Sequence, residues 1–176
     1  MRLFVFFNDR KEGSGMKRKK TNAMRMLERA DVEFEVNYYE VEDSHQDGET
    51  IAHSLGEDPE HVFKTLVLEN ANHEHYVFVI PVTETLDLKA AAKAVHEKKL
   101  NLMPMRDLKQ VTGYIRGGCS PVGMKRLFPT TLDETATLLS YIYISGGERG
   151  TQIKVAPQDL ITVVEGQYAD ITQSVI

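Results

Sequence analysis

The only cysteine of the chain, Cys119, lies beside Ser120 in a segment rich in glycine, residues 117–123 (GGCSPVG). Such a segment can seat a nucleophile, cradle a phosphate, or shape the backbone around a bound group. A serine nucleophile is disfavoured, because proline directly after Ser120 removes the amide that a nucleophile elbow uses as an oxyanion donor. No base that would activate Cys119 is evident, so a small buried hydrophobic residue is the favoured interpretation of this thiol.

The same segment matches neither common nucleotide-binding loop. A Walker loop ends in Gly-Lys-Ser/Thr and a dinucleotide fingerprint reads G-x-G-x-x-G, and neither spacing occurs here. The six histidines form no H-E-x-x-H motif, and a single cysteine cannot build a cysteine-rich zinc site. We therefore expect no metal and no cofactor. A loop that presents backbone N–H and C=O groups remains, with a plain turn between strands as the alternative.

Lys64 is the second residue that could do chemistry. In VFKTLVLE (62–69), strand alternation places Lys64 on the same face as Val62, Leu66 and Leu68. A lysine among apolar side chains is costly to bury without an anionic or polar partner. Two interpretations stay open: a lysine that reaches water at the sheet edge, and a cation at a pocket mouth that meets a phosphate or carbonyl oxygen.

Strands and helices must position these residues, and they are interspersed along the chain. Periodicity and capping residues predict helices at 22–30, 49–56, 88–99, 104–111 and 157–165. Composition predicts strands at 34–42, 62–69, 76–83, 99–103, 138–145 and 152–156, and a strand that begins at 112 and runs into the loop at 117–123. An antiparallel hairpin joins the second and third strands. The mixture indicates an α+β fold, a mixed sheet with peripheral helices, rather than a doubly wound parallel sheet.

Composition limits the classes of protein that fit. A chain of 176 residues with 41% hydrophobic and 27% charged residues is typical of one globular domain. The net charge of −5 opposes a basic surface overall. No apolar run approaches the roughly 20 residues of a membrane helix, and one cysteine fits a reducing cytoplasm. We interpret residues 1–16 as an N-terminal leader or an extra strand, and 17–176 as a single domain.

Five blocks of the sequence resemble the YbaK/EbsC family of free-standing aminoacyl-tRNA deacylases, which are related to the editing domain of bacterial prolyl-tRNA synthetase. The blocks, in order from about Lys20 to Thr172, are KTNAMRMLERADVEFEVNYYE, VFKTLVLE, LDLKAAAKA, TGYIRGGCSPVGMKRLFPT and YIYISGGERGTQIKVAPQDL. The resemblance implies a mixed, barrel-like β-sheet with surrounding helices. It also implies trans-editing, the hydrolysis of mischarged tRNA, typically Cys-tRNA(Pro) and also Cys-tRNA(Cys).

The motifs of the family place its functional residues on this chain. Its F/Y-K-T-L lysine falls on Lys64 and its G-x-x-x-P loop on 117–121, which implies a catalytic set of Lys64, Gly117, Gly118, Cys119, Ser120 and Pro121. The implied substrate-binding set is Tyr39, Thr65, Gly113, Tyr114, Arg116, Lys125, Arg126, Gly146, Gly147 and Gln152. Position 152 is acidic in some members, so Gln152 departs from the pattern and weakens any role for a carboxylate there.

The chemistry that the resemblance implies needs no nucleophile from the protein, because a cysteinyl ester carries a thiol that can attack its own carbonyl. Lys64 and the loop amides then supply orientation and oxyanion stabilisation, with Cys119 as scaffold. Arg116, Lys125 and Arg126 follow the phosphates of the acceptor stem. Two alternatives stay open. The substrate could be Ala-tRNA(Pro) or another mischarged tRNA, or the chain could bind aminoacyl ends without catalysis, as a partner of prolyl-tRNA synthetase or another synthetase.

Overall fold

A computed structural model of the chain describes residues 5–8, 18–42 and 46–173, with the backbone alone for 5–8. Within these ranges the chain forms nine β-strands in two sheets, together with five α-helices and three short 3-10 helices. The mixed α+β prediction is confirmed, and the described strands form two sheets rather than a closed barrel. No helix in the described ranges is long and apolar enough to cross a membrane.

The first sheet has the order β1-β2-β8-β7. These strands are β1 (Val5–Asn8), β2 (Phe34–Tyr38), β8 (Thr151–Val155) and β7 (Ile142–Ser145). β1 runs parallel to β2, whereas β2 and β8, and β7 and β8, are antiparallel. In β2, β7 and β8 one face carries buried apolar side chains, as the alternation of the sequence predicts: Phe34, Val36, Ile142, Ile144, Ile153 and Val155.

The second sheet has the order β5-β3-β4-β6-β9. These strands are β5 (Asn101–Leu102), β3 (Phe63–Glu69), β4 (His75–Pro81), β6 (Thr130–Asp133) and β9 (Gln167–Ala169). β3 and β4 form the predicted antiparallel hairpin over their full lengths. β6 and β9 were not predicted; β6 pairs in parallel with β4, and β9 pairs in parallel with β6.

The two sheets meet where Val62 and Tyr143 form an isolated parallel bridge. The largest cluster of buried apolar residues lies between the sheets and includes Phe34, Phe63 and Ile153. A second cluster, which includes Leu68 and Phe78, lies on the other face of β3 and β4. β3 therefore has apolar packing on both faces, which explains its strongly apolar sequence.

Helices α1 (Asn22–Arg29), α2 (Gly48–Leu55) and α5 (Pro157–Val164) match the predictions within one or two residues. Thr21 caps α1 by accepting a hydrogen bond from the Met24 amide, and Asp47 caps α2 by accepting one from the Thr50 amide. Gly56 ends α2 in the left-handed conformation, with φ of 68°. The residues that predicted the ends of α1 and α2 thus form the capping contacts in the structure.

The predicted helix at 88–99 is too long: α3 comprises Leu88–Ala94. The chain leaves the helix because His96 adopts a φ of 60° and the Glu97 amide bonds back to the Ala92 carbonyl. The Glu97 carboxylate accepts hydrogen bonds from the Tyr76 hydroxyl and the Asn70 side-chain amide of the β3–β4 hairpin. These tertiary bonds override the helix propensity of residues 95–99. The first residue of α3, Leu88, is 42% exposed.

The strand predicted to lead from 112 into the loop at 117–123 is wrong, because the described structure has no strand there. A 3-10 helix at Met105–Asp107 leads into α4 (Leu108–Thr112), as predicted for a short helix, and α4 ends at Gly113 with φ of 88°. The chain then follows an irregular path whose next positive φ is at Gly117. The strands at 34–42, 99–103 and 138–145 are likewise shorter than predicted. In the N-terminal segment, residues 1–4 and 9–16 lie outside the described residues.

Candidate active site

A cavity of about 410 Å³, here called the central cavity, lies between β3, α2 and the loop at 116–119. It is lined mainly by apolar side chains. Its lining residues are Gln46, Gly48, Ile51, Val62, Phe63, Lys64, Thr65, Leu66, Val67, Val82, Leu102, Met103, Met105, Leu108, Arg116, Gly117, Cys119, Ser145 and Gln152. Six residues of the predicted site therefore meet here: Lys64, Thr65, Arg116, Gly117, Cys119 and Gln152.

The cavity lies along an edge of β3 that the described strands leave unpaired. β5 pairs with β3 only at Leu68 and Glu69. The Met103 amide donates to the Val67 carbonyl at this edge, at 3.0 Å. Because the backbone groups of alternate residues face the same edge of a strand, the N–H and C=O of Thr65 also point toward it. The cavity thus has a backbone donor and acceptor in one wall, beside the Lys64 side chain.

Lys64 lies at the junction of three cavities. It lines the central cavity, a cavity of about 910 Å³ on the α3 side, and a recess of about 440 Å³ near the start of α2. It is partly buried, and no residue in the described ranges forms an ion pair or hydrogen bond with its Nζ. The strand edge is open near Lys64 and borders a cavity rather than a flat surface, and both interpretations of this lysine stay predictions.

The opposite wall is the glycine loop. Gly117 adopts a φ of 83°, where a residue with a Cβ is strained, and an added Cβ would lie 3.1 Å from the Cγ of Arg149. Gly118 has no such φ, but an added Cβ would lie 2.9 Å from the Glu148 Cα. The loop therefore packs directly on the backbone of the β7–β8 turn. The two glycines set the path of the loop for different reasons, one conformational and one steric.

The loop amides divide into two kinds. The Gly118 amide donates to the Ile115 carbonyl at 3.0 Å, so it serves the loop itself. The amides of Gly117 and Cys119 have no acceptor among the residues that the structure describes, and both residues line the central cavity. Ser120 is fully buried, and its Oγ accepts a hydrogen bond from the Val122 amide. The amides that can reach a ligand are thus those of Gly117 and Cys119.

The Cys119 thiol is unsuited to act as a nucleophile. Burial raises its pKa from the ordinary 9.0 to about 11, although a hydrogen bond with Thr112 opposes the shift. Below pH 9 the thiol is therefore almost wholly protonated, and the thiolate is the reactive form. The side chain packs at the edge of the main core. These properties support the prediction that Cys119 is scaffold.

Tyr114 fixes the loop from behind. The residue is buried, and its hydroxyl donates to the Val122 carbonyl at 2.6 Å. Burial raises the pKa of the phenol, which keeps it protonated as a donor. Pro121 is also buried and lies outside the central cavity. Tyr114, Ser120 and Pro121 therefore hold the loop in place and do not line the cavity.

A row of polar side chains crosses the first sheet at the cavity. Gln152 pairs with Asn37 on β2 and with Ser145 on β7, so the three side chains share a face. Gln152 is only 4% exposed, and its Oε1 has no hydrogen-bond partner in the described structure. The Asn37 Nδ2 and the Thr65 Oγ1 are buried without a partner as well. Buried polar atoms are nearly always paired, so the unpaired Gln152 and Thr65 atoms favour a polar ligand in the cavity.

The charged groups of the central cavity are cationic. Among the described lining residues, Lys64 and Arg116 are the charged ones, and neither a carboxylate nor a histidine is present. Arg116 is exposed at the rim. Such a cavity attracts anions and negatively polarised oxygens, and its described residues offer no general base.

The other predicted residues lie outside the central cavity. Lys125 and Arg126 line a separate cavity of about 640 Å³, together with Glu69, His73 and His75. Four more predicted residues make contacts that hold the fold together. The Tyr39 amide donates to the Gly150 carbonyl, and Gly113 ends α4. Gly146 and Gly147 form the β7–β8 turn.

Sequence reasoning missed the apolar half of the cavity. Leu102, Met103, Met105 and Leu108 line it from the segment between β5 and α4. Leu102 and Met105 are 58% and 56% exposed. The signal available in the sequence was a run of apolar residues, NLMPMRDL, with no strand or helix long enough to bury them all.

Comparison with known proteins identifies the family to which this arrangement belongs. The model of the aminoacyl-tRNA editing domain matches residues 44–163. The chain belongs to the aminoacyl-tRNA editing domain family. That range contains Lys64, the glycine loop and Gln152, so the central cavity lies within the editing domain. The resemblance found in the sequence is confirmed.

A similar protein of Enterococcus faecalis (strain ATCC 700802 / V583) is named "Putative Cys-tRNA(Pro)/Cys-tRNA(Cys) deacylase EbsC". It is 45% identical over 153 residues, which cover 87% of this chain and 93% of the relative. Two solved structures share the fold at lower identity. One is described as "Crystal structure of a putative trans-editing enzyme for prolyl tRNA synthetase", with 22% identity, a TM-score of 0.75, and coverage of 87% of this chain and 96% of its own. The other, "hypothetical protein APE2540", has 18% identity, a TM-score of 0.79, and coverage of 86% and 99%.

Proposed function

We propose that the chain is a trans-editing deacylase that hydrolyses the ester of Cys-tRNA(Pro), and also of Cys-tRNA(Cys), with the substrate's own thiol as the nucleophile. The observation that carries the proposal is the chemistry of the central cavity. Its described residues offer two cations, two unused amides and unpaired hydrogen-bonding atoms, but no activated nucleophile and no base. The family and the name of the 45% identical relative support the substrate class.

The reaction begins with the cysteinyl group in the central cavity. The thiol sulfur attacks the ester carbonyl carbon, a C–S bond forms, and the C–O bond to the terminal ribose breaks. The thiol proton passes to the departing ribose oxygen, which yields deacylated tRNA and a four-membered thiolactone that water then opens. Negative charge develops on the carbonyl oxygen in the transition state. Lys64 and the amides of Gly117 and Cys119 stabilise this charge in a mainly apolar cavity, where such interactions are strong.

The polar row holds the amino acid. Gln152 offers its Oε1 as an acceptor for the α-ammonium group, and Thr65 offers its hydroxyl and its backbone. A cysteine that is held at both ends has its thiol and carbonyl fixed at short range, which lowers the barrier for an intramolecular attack. Because the acceptor is an amide rather than a carboxylate, it holds the ammonium without adding a negative charge near the developing oxyanion.

The tRNA body contacts the basic residues around the loop. Arg116 lies at the rim of the central cavity, and Lys125 and Arg126 line the separate cavity beyond α4. Three cations contribute a salt-dependent but modest affinity. Since the net charge of the chain is −5, we propose that prolyl-tRNA synthetase retains the mischarged tRNA and presents it to this protein.

A panel of tRNAs charged with cysteine, alanine, serine and proline tests the proposal. Single-turnover deacylation by the purified protein is expected to be fastest for the cysteinyl ester and to require Lys64, so that Lys64→Ala loses most of the rate. Preference for the alanyl ester would establish the alternative substrate Ala-tRNA(Pro). Hydrolysis of no ester, together with binding of the charged tRNA, would establish a non-catalytic binding protein. Addition of prolyl-tRNA synthetase is expected to lower the half-saturating concentration of Cys-tRNA(Pro).

A further inference from the structure

In the proposed reaction the aminoacyl group occupies the central cavity, and the nucleotide behind its ester lies in a space that adjoins this cavity. Two neighbouring spaces share lining residues with it. One is the cavity of about 910 Å³ on the α3 side, here called the leucine cavity, and the other is the recess of about 440 Å³ near α2, here called the acidic recess.

The leucine cavity and the acidic recess differ in the charges of their lining residues. The acidic recess is lined by the carboxylates of Asp47 and Glu49, with Lys64 as its only cation among the described residues. The leucine cavity has two cations, Lys64 and Lys89. Its one described carboxylate, Asp87, accepts hydrogen bonds from the first amides of α3, as Asp47 does from the Thr50 amide of α2. The two spaces therefore differ by the further carboxylate of Glu49 in the recess and the further cation Lys89 in the leucine cavity. A phosphodiester is repelled by the first arrangement and attracted by the second.

The leucine cavity also has the apolar surface that a nucleobase needs. Leu66, Leu88 and Leu102 line it, and the last two are 42% and 58% exposed. Leu66 and Leu102, with Lys64, also line the central cavity, so the two cavities adjoin along these residues. Large apolar side chains held in the open beside a site are typical of a binding surface rather than of core packing.

We propose that the leucine cavity binds the 3′-terminal nucleotide of the aminoacyl-tRNA. The base packs on the side chains of Leu88 and Leu102, and the phosphate lies between Lys64 and Lys89. Lys64, at the junction, then faces the ester on one side and the phosphate on the other. The site rests on the proposed function for its ligand, but its location follows from the lining residues that the two cavities share and from their charge.

The test combines variants of this cavity with matched controls elsewhere. The double variant Leu88→Ser, Leu102→Ser removes the apolar surface, and Lys89→Glu reverses the charge. The controls are Leu138→Ser, since this leucine is 85% exposed in the 3-10 helix at Glu134–Leu138, and Lys93→Glu, an exposed lysine later in α3. All five substituted positions are solvent-accessible, and thermal unfolding checks that each variant folds.

Single-turnover deacylation of Cys-tRNA(Pro) gives the first measurement. The double leucine variant is expected to raise the half-saturating concentration about tenfold, since contact with a base face has this order of effect. Lys89→Glu is expected to raise it severalfold and to reduce the slope of log affinity against log salt concentration by about one. The two controls are expected to stay within about twofold of the parent. Equal half-saturating concentrations for the parent and both cavity variants would overturn the proposal.

A titration with the trinucleotide CCA gives a second measurement that needs no catalysis. Methyl NMR of the parent is expected to show shifts at Leu66, Leu88 and Leu102 and none at Leu138. If the parent hydrolyses no Cys-tRNA, the proposed function fails, and this titration alone decides the leucine cavity. Shifts confined to other leucines, or no shifts at millimolar CCA, would contradict the assignment of the nucleotide site.

Discussion

Replacement of Cys119 by alanine separates the two interpretations of the glycine loop. If the substrate thiol is the nucleophile, Cys119→Ala keeps its activity within about threefold, a change of less than 1 kcal/mol in the barrier. A pKa of about 11 leaves about 0.03% of this thiol as thiolate at pH 7.5, too little for an efficient nucleophile. The substitution removes one partly buried sulfur atom, so we expect a stability cost of about 1 kcal/mol.

The same variant tests the buried environment of the thiol. Because its folded pKa of about 11 lies above the ordinary 9.0, the folded state holds its proton where the unfolded state has lost it. Stability from this group is therefore complete below pH 9 and decreases as pH rises toward 11. From pH 8 to 10.5 the loss amounts to about 2 kcal/mol, and Cys119→Ala should lack this part of the alkaline destabilisation.

Two assays measure these effects on the same preparations. Single-turnover deacylation of Cys-tRNA(Pro) at pH 7.5 gives the activity, and urea unfolding at pH 8 and pH 10.5 gives the free energy of unfolding. A loss of activity above about 100-fold in a variant that still unfolds cooperatively would refute the assignment of Cys119 as scaffold. Parallel losses of stability with pH in the parent and the variant would refute its burial.

Three further substitutions have defined outcomes. Lys64→Met should lower the deacylation rate about 100- to 1,000-fold and leave stability unchanged or higher, because it removes an unpaired, partly buried cation. The control Lys93→Met should change neither the rate nor the stability. An active Lys64→Met enzyme would exclude the proposed role of Lys64. Gly118→Ala should lower both the rate and the melting temperature, since its Cβ meets the backbone of the β7–β8 turn at 2.9 Å; unchanged values would contradict the packing described. The pKa of Glu97 lies below its ordinary 4.5, chiefly because a tyrosine hydroxyl donates to it, so this carboxylate stabilises the fold above pH 4.5 and loses that effect as pH falls through its folded pKa. Glu97→Gln should therefore lose less stability than the parent between pH 6 and pH 3, as measured by thermal unfolding, and an equal loss would count against the hydrogen bond.

Local signals predicted those parts of the fold that local contacts determine. Thr21 and Asp47 cap helices, Gly56 ends one, and the polar run between the two most apolar strands forms a hairpin turn. Each of these features depends on residues within a few positions of one another, which is why the sequence alone is sufficient. The position of Lys64 in a strand follows from the same alternation.

Features that depend on distant partners were not predictable. The irregular path from 112 to 123 is held by the Tyr114–Val122 hydrogen bond and by packing on the β7–β8 turn, neither of which has a periodic signature. α3 ends early because Glu97 is bound by residues of another hairpin. Residues such as Thr65 and Gln152 were selected through the resemblance, and the fold brings both to one cavity from different sheets. Their roles in binding stay predictions.

The central claim is that the substrate supplies the nucleophile, and one comparison tests it directly. Cys-tRNA(Pro) and 2-aminobutyryl-tRNA(Pro) differ by a thiol against a methyl group of similar size, so both should enter the central cavity. Single-turnover deacylation with excess protein is expected to be rapid for the cysteinyl ester and no faster than spontaneous hydrolysis for the 2-aminobutyryl ester. Comparable catalysed rates for the two esters would contradict the account and require a water molecule or a protein group as the nucleophile.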